Sequence, residues 1–287
     1  MRIRATVAAV SGALALSALA VPAAQADSST YRADAAKAFA AATSGKSAFS
    51  TAVEGNLDVS FSNLKIAKAV KVGIKDHVST KVTYTLTHAA DIDIADEENF
   101  ANGPFIYKGS FDAPVNELFG VKAATCTPTS ETTADCAGLI DIYPSDAELI
   151  NSDAGTWHAG GLAINSAGDY GIQGDLGTTL VQRNSKLTVN ASPEPVKKGK
   201  TITVTGKLSR ANWEDNEYHG YSGQSVKLQF RKKGSSTYTT VKTIKTNSTG
   251  NLKTTVTAAA DGYFRYSFAG TTTTPAVSAA GDFVDVQ

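Results

Sequence analysis

The sequence predicts an all-β protein of two immunoglobulin-like β-sandwich domains in tandem, and three observations point there. Apolar and polar residues alternate in short runs such as Lys81-Val82-Thr83-Tyr84-Thr85-Leu86-Thr87, and a period of two marks a half-buried strand. The runs are separated by Gly, Pro, Asn and Asp, the residues that tight turns require. No long amphipathic helix intervenes between them, which argues against the alternating strand-helix pattern of a parallel α/β fold.

The N-terminal stretch reads as a targeting signal. Arg2 and Arg4 are followed by an uncharged apolar or small run from Ala5 to Val21, and Ala24-Gln25-Ala26 has the small-x-small pattern of a signal-peptidase site. A Sec-type signal peptide over 1–26, cleaved after Ala26, makes the protein secreted and extracellular. The alternative is a membrane anchor, since the run approaches the roughly 17–25 residues of a span; Ala, Ser, Gly and Thr nevertheless dominate it. No Cys follows the cleavage site and the sequence ends in Asp-Val-Gln, so neither a lipid anchor nor a transmembrane anchor is expected.

Residues 27–50 form an Ala-rich arm. Tyr31 to Ala42 has good helix propensity, but few large apolar side chains are available to hold it down. The expectation is a short frayed helix or a flexible arm.

Residues 51–182 predict an acidic β-sandwich. Its strand-like runs are Leu57 to Phe61, Ala69 to Ile74, Lys81 to Thr87, Phe105 to Tyr107, Leu139 to Ile142, Trp157 to Ile164 and Thr178 to Gln182. The two cysteines, Cys126 and Cys136, flank a turn-rich excursion. In an oxidising compartment a close pair reads as one disulfide, and closing so short a ring contributes somewhat under about 3 kcal/mol. Zinc would need about four ligands, and no His lies nearby.

The linker Gln182-Arg183-Asn184-Ser185 is short enough to limit swivelling. Beyond it, residues 185–287 alternate more clearly: Val226, Leu228 and Phe230 against Lys227, Gln229 and Arg231, then Phe264, Tyr266 and Phe268 against Tyr263, Arg265 and Ser267. Further strands are expected at Leu187 to Asn190, around Ile202 to Leu208, Tyr238 to Thr246, Leu252 to Val256 and Phe283 to Val286. About seven strands in roughly 100 residues match an immunoglobulin-like sandwich. Asp153-Ala154-Gly155-Thr156-Trp157 and Asp261-Gly262-Tyr263-Phe264 each place Asp, Gly and an aromatic before a late strand. That cluster resembles the corner where such domains enter strand F.

The stretch 185–287 resembles the immunoglobulin-like modules that end many actinobacterial secreted proteins. The likeness is carried by Leu187-Thr188-Val189-Asn190-Ala191-Ser192-Pro193, Gly223-Gln224-Ser225-Val226-Lys227-Leu228-Gln229-Phe230 and Gly262-Tyr263-Phe264-Arg265-Tyr266-Ser267-Phe268-Ala269-Gly270. The preceding region is similar to uncharacterised secreted proteins of the same bacterial group. These motifs specify packing and turns, so the resemblance implies fold and location and no active site.

Charge divides the chain. Residues 27–184 hold 11 Lys and Arg against 20 Asp and Glu, and residues 185–287 hold 14 against 7. Opposite halves suggest attraction between the domains or two different partners; neither half is extreme enough to require nucleic acid. His77, His88, His158 and His219 are scattered without a metal-type companion. Gly220-Tyr221-Ser222-Gly223 lacks the Gly that a nucleophile elbow places two residues after Ser. A Ser-His-Asp set assembled only in space remains open; the motifs themselves predict no enzyme.

Three segments are candidate sites. Asp91, Asp93, Asp96, Glu97 and Glu98 cluster carboxylates as a Ca²⁺ site requires, although Ala95, Asp96 and Asn102 break the EF-hand pattern. The alternative is a strand edge with solvated charges running into an acidic loop. The loop from Arg210 to Tyr221 carries Trp213, Tyr218, His219 and Tyr221, a mixture suited to glycan or protein contact or to capping the core. Lys227, Arg231, Lys232, Lys233, Lys242, Lys245 and Lys253 supply a basic face for an anionic cell-envelope polymer, or serve solubility and edge protection. The functional expectation is therefore a secreted, non-catalytic binding or envelope-associated protein. A calcium-binding extracellular protein using residues 91–98 and a hydrolase or inhibitor without recognisable motifs are the alternatives.

Overall fold

The computed structural model describes residues 27–43 and 54–287; the expected signal peptide and the C-terminal part of the Ala-rich arm lie outside them. The described chain begins with α1 (Asp27–Thr43). The first sandwich follows as β1 (Glu54–Gly55), β2 (Val59–Ile66), β3 (Ala69–Val72), β4 (Val78–His88), β5 (Phe100–Ser110), β6 (Ala113–Phe119), β7 (Thr125–Pro128), β8 (Thr133–Ile142), β9 (Gly155–Asn165) and β10 (Tyr170–Arg183).

One sheet runs β2-β4-β8-β7 and the other β1-β10-β9-β5-β6, with β3 crossing over to lie parallel to β10. The first order is that of strands A, B, E and D of an immunoglobulin domain, and β10, β9, β5 and β6 take the places of G, F, C and C′. Alternation decides which side chains enter: Val82, Tyr84 and Leu86 of β4 meet Ile106 of β5 and Trp157 and Ala159 of β9 in one core. Cys126 and Cys136 face each other across β7 and β8 and are disulfide-bonded. The bridge staples an edge hairpin and does not cross the sandwich.

The expected strand-F corner is formed at Trp157. Its indole N–H donates to the Asp153 carbonyl at 2.7 Å, while Gly155 adopts φ +127°, outside the range of ordinary side chains. In the second sandwich, Gly262 does not adopt positive φ; there Asp261 accepts the Val286 N–H at 2.9 Å.

The helical reading of the arm holds, but α1 is neither frayed nor free. Tyr31, Ala35, Ala38, Phe39 and Ala42 are buried on the outer face of the β5-bearing sheet against Phe105, Tyr107, Phe111, Phe119, Leu162 and Ile172. Phe39 sits edge-on to Phe105 at 5.1 Å, Phe119 at 5.7 Å and Phe111 at 6.0 Å. One aromatic inserted into four compensates for the small alanines around it. Arg32 adds a salt bridge to Glu148 at 2.9 Å.

The second sandwich comprises β11 (Ser185–Leu187), β12 (Asn190–Ser192), β13 (Thr201–Asn212), β14 (Glu217–Gly220), β15 (Ser225–Lys232), β16 (Thr239–Lys245), β17 (Asn251–Thr257), β18 (Gly262–Phe268), β19 (Val277–Ser278) and β20 (Asp282–Val284). The first half of β13 pairs with β12 and β17, and its second half with β11 and β14. Opposite lies β16-β15-β18, extended by β19 and β20 on β18. Ile202 and Val204 of β13 meet Val226, Leu228, Phe264, Tyr266 and Phe268 between the layers.

Only Asn184 separates β10 from β11, and the two sandwiches pack on each other. Ala211 and Trp213 of the second belong to the hydrophobic core of the first. Arg183 Nε donates to the Ala211 carbonyl at 2.6 Å and Gln182 Nε2 to the Thr271 carbonyl at 2.8 Å.

Candidate functional site

The segment around Trp213 is a hairpin, not an open loop: β13 runs to Asn212 and β14 returns from Glu217. Trp213 is 2% exposed, donates its indole N–H to the Gly73 carbonyl at 2.9 Å and its backbone N–H to Asn151 Oδ1 at 3.1 Å. The expectation that Trp213 faces a ligand is therefore corrected: it plugs the joint between the sandwiches. Tyr218 receives a hydrogen bond from Asn184 at 3.3 Å and carries the Lys186 ammonium over its ring at 3.8 Å. Tyr221 lies under the Arg210 guanidinium at 4.0 Å and edge-on to Phe268. Of the four, His219 is the most accessible, paired with Asp215 at 2.7 Å.

The acidic run is not a strand edge either. β4 ends at His88, and residues 89–99 pass through successive turns while Ile92 and Ile94 pack against the first core. Asp93 Oδ1 accepts the Ala95 N–H at 3.0 Å. Asp96 Oδ1 accepts the N–H groups of Glu98 and Asn99, and its Oδ2 the Asn99 amide at 2.7 Å. The Asn99 side chain leads the bonds that hold the Asp96 carboxyl below its ordinary range. Two of the five carboxylates are thus engaged in shaping turns, and no group of three or more His, Cys, Asp or Glu side chains converges as a metal site among the described residues.

Folding brings together two constellations that sequence spacing hides. Ser79, His77 and Asp141 meet where β4 pairs with β8. A hydrolytic triad requires Ser to donate to His and His to the acid. Here Ser79 donates to Asp141 Oδ1 at 2.5 Å, His77 Nε2 lies 2.9 Å from that same oxygen, and Ser79 Oγ lies 3.2 Å from His77 Nε2. The other oxygen, Oδ2, accepts the Val121 N–H at 2.8 Å, and His77 stacks on Tyr143 at 4.2 Å. Burial pushes the Asp141 carboxyl up, but the bonds from Ser79, Val121 and His77 outweigh it and hold it below its ordinary range. With its proton given to the carboxylate, Ser79 joins His77 and Asp141 in a clasp across β4 and β8.

The second constellation joins Asp175, at φ +54° in the bulge of β10, to Tyr107 and His158. Tyr107 donates to Asp175 Oδ1 at 2.7 Å, and His158 Nδ1 is 2.7 Å from the same atom. Burial, then the contact with Asp175, raises the Tyr107 hydroxyl well above its ordinary value.

The basic residues divide between the two sheets of the second sandwich. Lys227 and Arg231 point outward from β15 and Lys245 lies on β16, whereas Lys253 is on β17 in the opposite sheet. Lys242 reaches from β16 to Thr254 and to the Thr255 carbonyl, bridging the sheet margins. The outer face of β15 and β18 contains a row that the lysine pattern alone does not reveal. Arg265 lies 3.8 Å over Tyr238, Arg231 lies 4.1 Å over Tyr263 and 5.3 Å from Tyr238, and Lys233 lies 5.4 Å over Phe283. Tyr238 comes from the turn before β16, so only the folded register places it between the two arginines.

No family model matches the chain, and no curated protein matches it. Among solved structures, it is similar to the adhesin InvE of Yersinia pseudotuberculosis at 12% identity and a TM-score of 0.26, over 77% of this chain and 58% of that one. It is similar to the D00-D0 domain of intimin at 15% identity and a TM-score of 0.26, over 78% of this chain and 98% of that one. A chimeric titin Z1Z2 follows at 8% identity and a TM-score of 0.22, over 81% of this chain and 98% of that one. Scores this low carry no functional argument, and the immunoglobulin-like assignment rests on the strand orders above.

Proposed function

We propose that this chain is a secreted, non-catalytic binding protein whose second sandwich attaches it to an anionic polymer of the cell envelope. The observation that carries the reading is the uncompensated charge on one sheet face. Lys227, Arg231, Lys233, Lys245 and Arg265 share the β16-β15-β18 side, and among the described residues only Lys233 forms a salt bridge with a carboxylate, Asp261, at 3.4 Å. Like charges kept side by side without counter-charges destabilise a sheet face, and a polyanion supplies what is missing.

The test is retention of the mature protein on purified cell envelope. Binding at low ionic strength and release at about 1 M salt, where the Debye length falls to about 3 Å, is the expected result. Absence of retention at low salt removes the reading. Mass spectrometry of protein from the medium is expected to find Asp27 as the first residue.

A further inference from the structure

Resting on the reading just given, we infer that Arg231 and Arg265 form a paired oxyanion site, held flat by Tyr238 and Tyr263, that takes successive anionic groups of one linear polymer. The starting point is register. Gln229 opposes Arg265 and Arg231 opposes Tyr263 across β15 and β18, which makes the two arginines diagonal neighbours on one face, about 7–8 Å apart at the backbone. Tyr238 then lies between their guanidinium groups.

Stacking against aromatic rings fixes planes that a free arginine side chain leaves to several rotamers. Holding them in advance removes part of the ordering cost of binding. Hydrogen bonds complete the positioning: Arg265 Nε donates to Gln229 Oε1 at 2.8 Å, and Arg231 Nη1 donates to the Ser235 carbonyl at 2.6 Å. A guanidinium has five N–H donors, so each keeps most of its fork. Neither arginine is paired with a carboxylate among the described residues.

The chemistry of the occupant follows from what the face offers. Arg231 covers one face of Tyr263 and Arg265 one face of Tyr238, so the rings serve the guanidinium groups before they serve a neutral sugar. Fixed forks with spare N–H groups suit planar or tetrahedral oxyanions that accept two parallel hydrogen bonds, namely carboxylate or phosphate. Lysines beside the row, such as Lys227, add attraction without that geometry.

The test separates geometry from charge. Binding of the full mature chain is measured at fixed ionic strength to polyphosphate, poly-L-glutamate and neutral dextran, with melting curves confirming that each variant is folded. Arg265→Lys and Arg231→Lys keep the charge and lose the fork; each is expected to weaken polyanion binding about tenfold. Tyr238→Leu frees both guanidinium groups and is expected to weaken it several-fold, whereas Lys198→Gln, a charge removed from a distant turn, is expected to change it less than about twofold. Preference for polyphosphate or for polyglutamate assigns the group as phosphate or carboxylate. Lysine variants that bind as well as the parent overturn the paired site, as does wild-type binding to neither polyanion. Salt-sensitive retention on envelope alongside either result leaves the broader reading standing, so the two failures are distinguishable.

Discussion

Trp213 of the second sandwich donates its indole N–H to the carbonyl of Gly73 in the first, at 2.9 Å. The bond lies at the centre of a joint that also buries Arg183, whose side chain reaches the Ala211 carbonyl. Burial, then the neighbouring Arg210, lowers Arg183 to about 10. A cation is retained there because its donors are used by the backbone carbonyl that the joint would otherwise strand.

Trp213→Ala empties the largest side chain of this joint and is expected to cost about 3–5 kcal/mol in chemical denaturation. Trp213→Phe keeps much of the ring and leaves the Gly73 carbonyl without its donor, at about 1–3 kcal/mol. With the plug removed, calorimetry is expected to resolve two transitions where the parent shows one, because each sandwich retains its own core.

Phe39→Ala addresses α1. The helix and the sheet face under it form a hydrophobic cluster distinct from the core between the sheets, so its loss leaves the sandwich intact. Hydrogen exchange is expected to show loss of protection across residues 31–42 with the β4 and β9 amides unchanged. The Arg32–Glu148 pair is partly exposed and contributes too little to hold the helix alone.

The architecture was legible wherever alternation was strong. β4, β15 and β18 stand where Val82-Tyr84-Leu86, Val226-Leu228 and Phe264-Tyr266-Phe268 place them, and the disulfide follows from two cysteines in a turn-rich segment. β6 was not legible: Ala113-Pro114-Val115-Asn116-Glu117 is polar with a Pro, as an edge strand allows, and Val115 is 72% exposed. The packed helix was hidden because its partner face is assembled from β5, β6, β9 and β10, far apart in sequence. Trp213 was legible as a special residue, but which surface it enters depends on a domain contact that no local pattern encodes. Likewise Arg231 and Arg265 alternate visibly, while Tyr238 joins them only through the turn before β16.

Gly155→Ala tests the Trp157 corner. Around a Cβ at Gly155 the nearest atoms are 3.8 Å and 4.0 Å away, so steric room exists and the penalty is conformational. At φ +127° a side chain is expected to cost about 1–3 kcal/mol, read as a lower unfolding midpoint with an unchanged denaturant slope.

The Ser79–Asp141 bond predicts an acid dependence. Asp141 has a carboxyl held below the ordinary value of 3.8 in the fold, so its contribution is present above that value and is lost as pH falls through the lowered one. Ser79→Ala removes the foremost of the lowering bonds. The variant is expected to lose less stability than the parent between about pH 4 and pH 2, having started lower; equal slopes in urea titrations across that range count against the clasp.

Buried tyrosines set the opposite limit. Tyr266 is fully buried and donates to the Val204 carbonyl at 2.9 Å, and burial pushes its hydroxyl up to about 12. Burial also raises Tyr31 and Tyr84. The unfolded chain releases these protons near pH 10 while the fold retains them, so stability is whole below that point and falls as pH rises toward 12. The hydroxyls of Tyr266 and Tyr31 differ in a way that mutation separates. Tyr266→Phe strands the Val204 carbonyl and is expected to cost about 1–2 kcal/mol at neutral pH. The Tyr31 hydroxyl is buried with no hydrogen-bond partner among the described residues, so Tyr31→Phe removes an unsatisfied group and is expected to stabilise the protein by about 1 kcal/mol. Urea midpoints at neutral pH decide between these signs, and tyrosinate absorbance on raising the pH is expected to show late, unfolding-linked ionisation of these hydroxyls, since burial prevents it in the native fold.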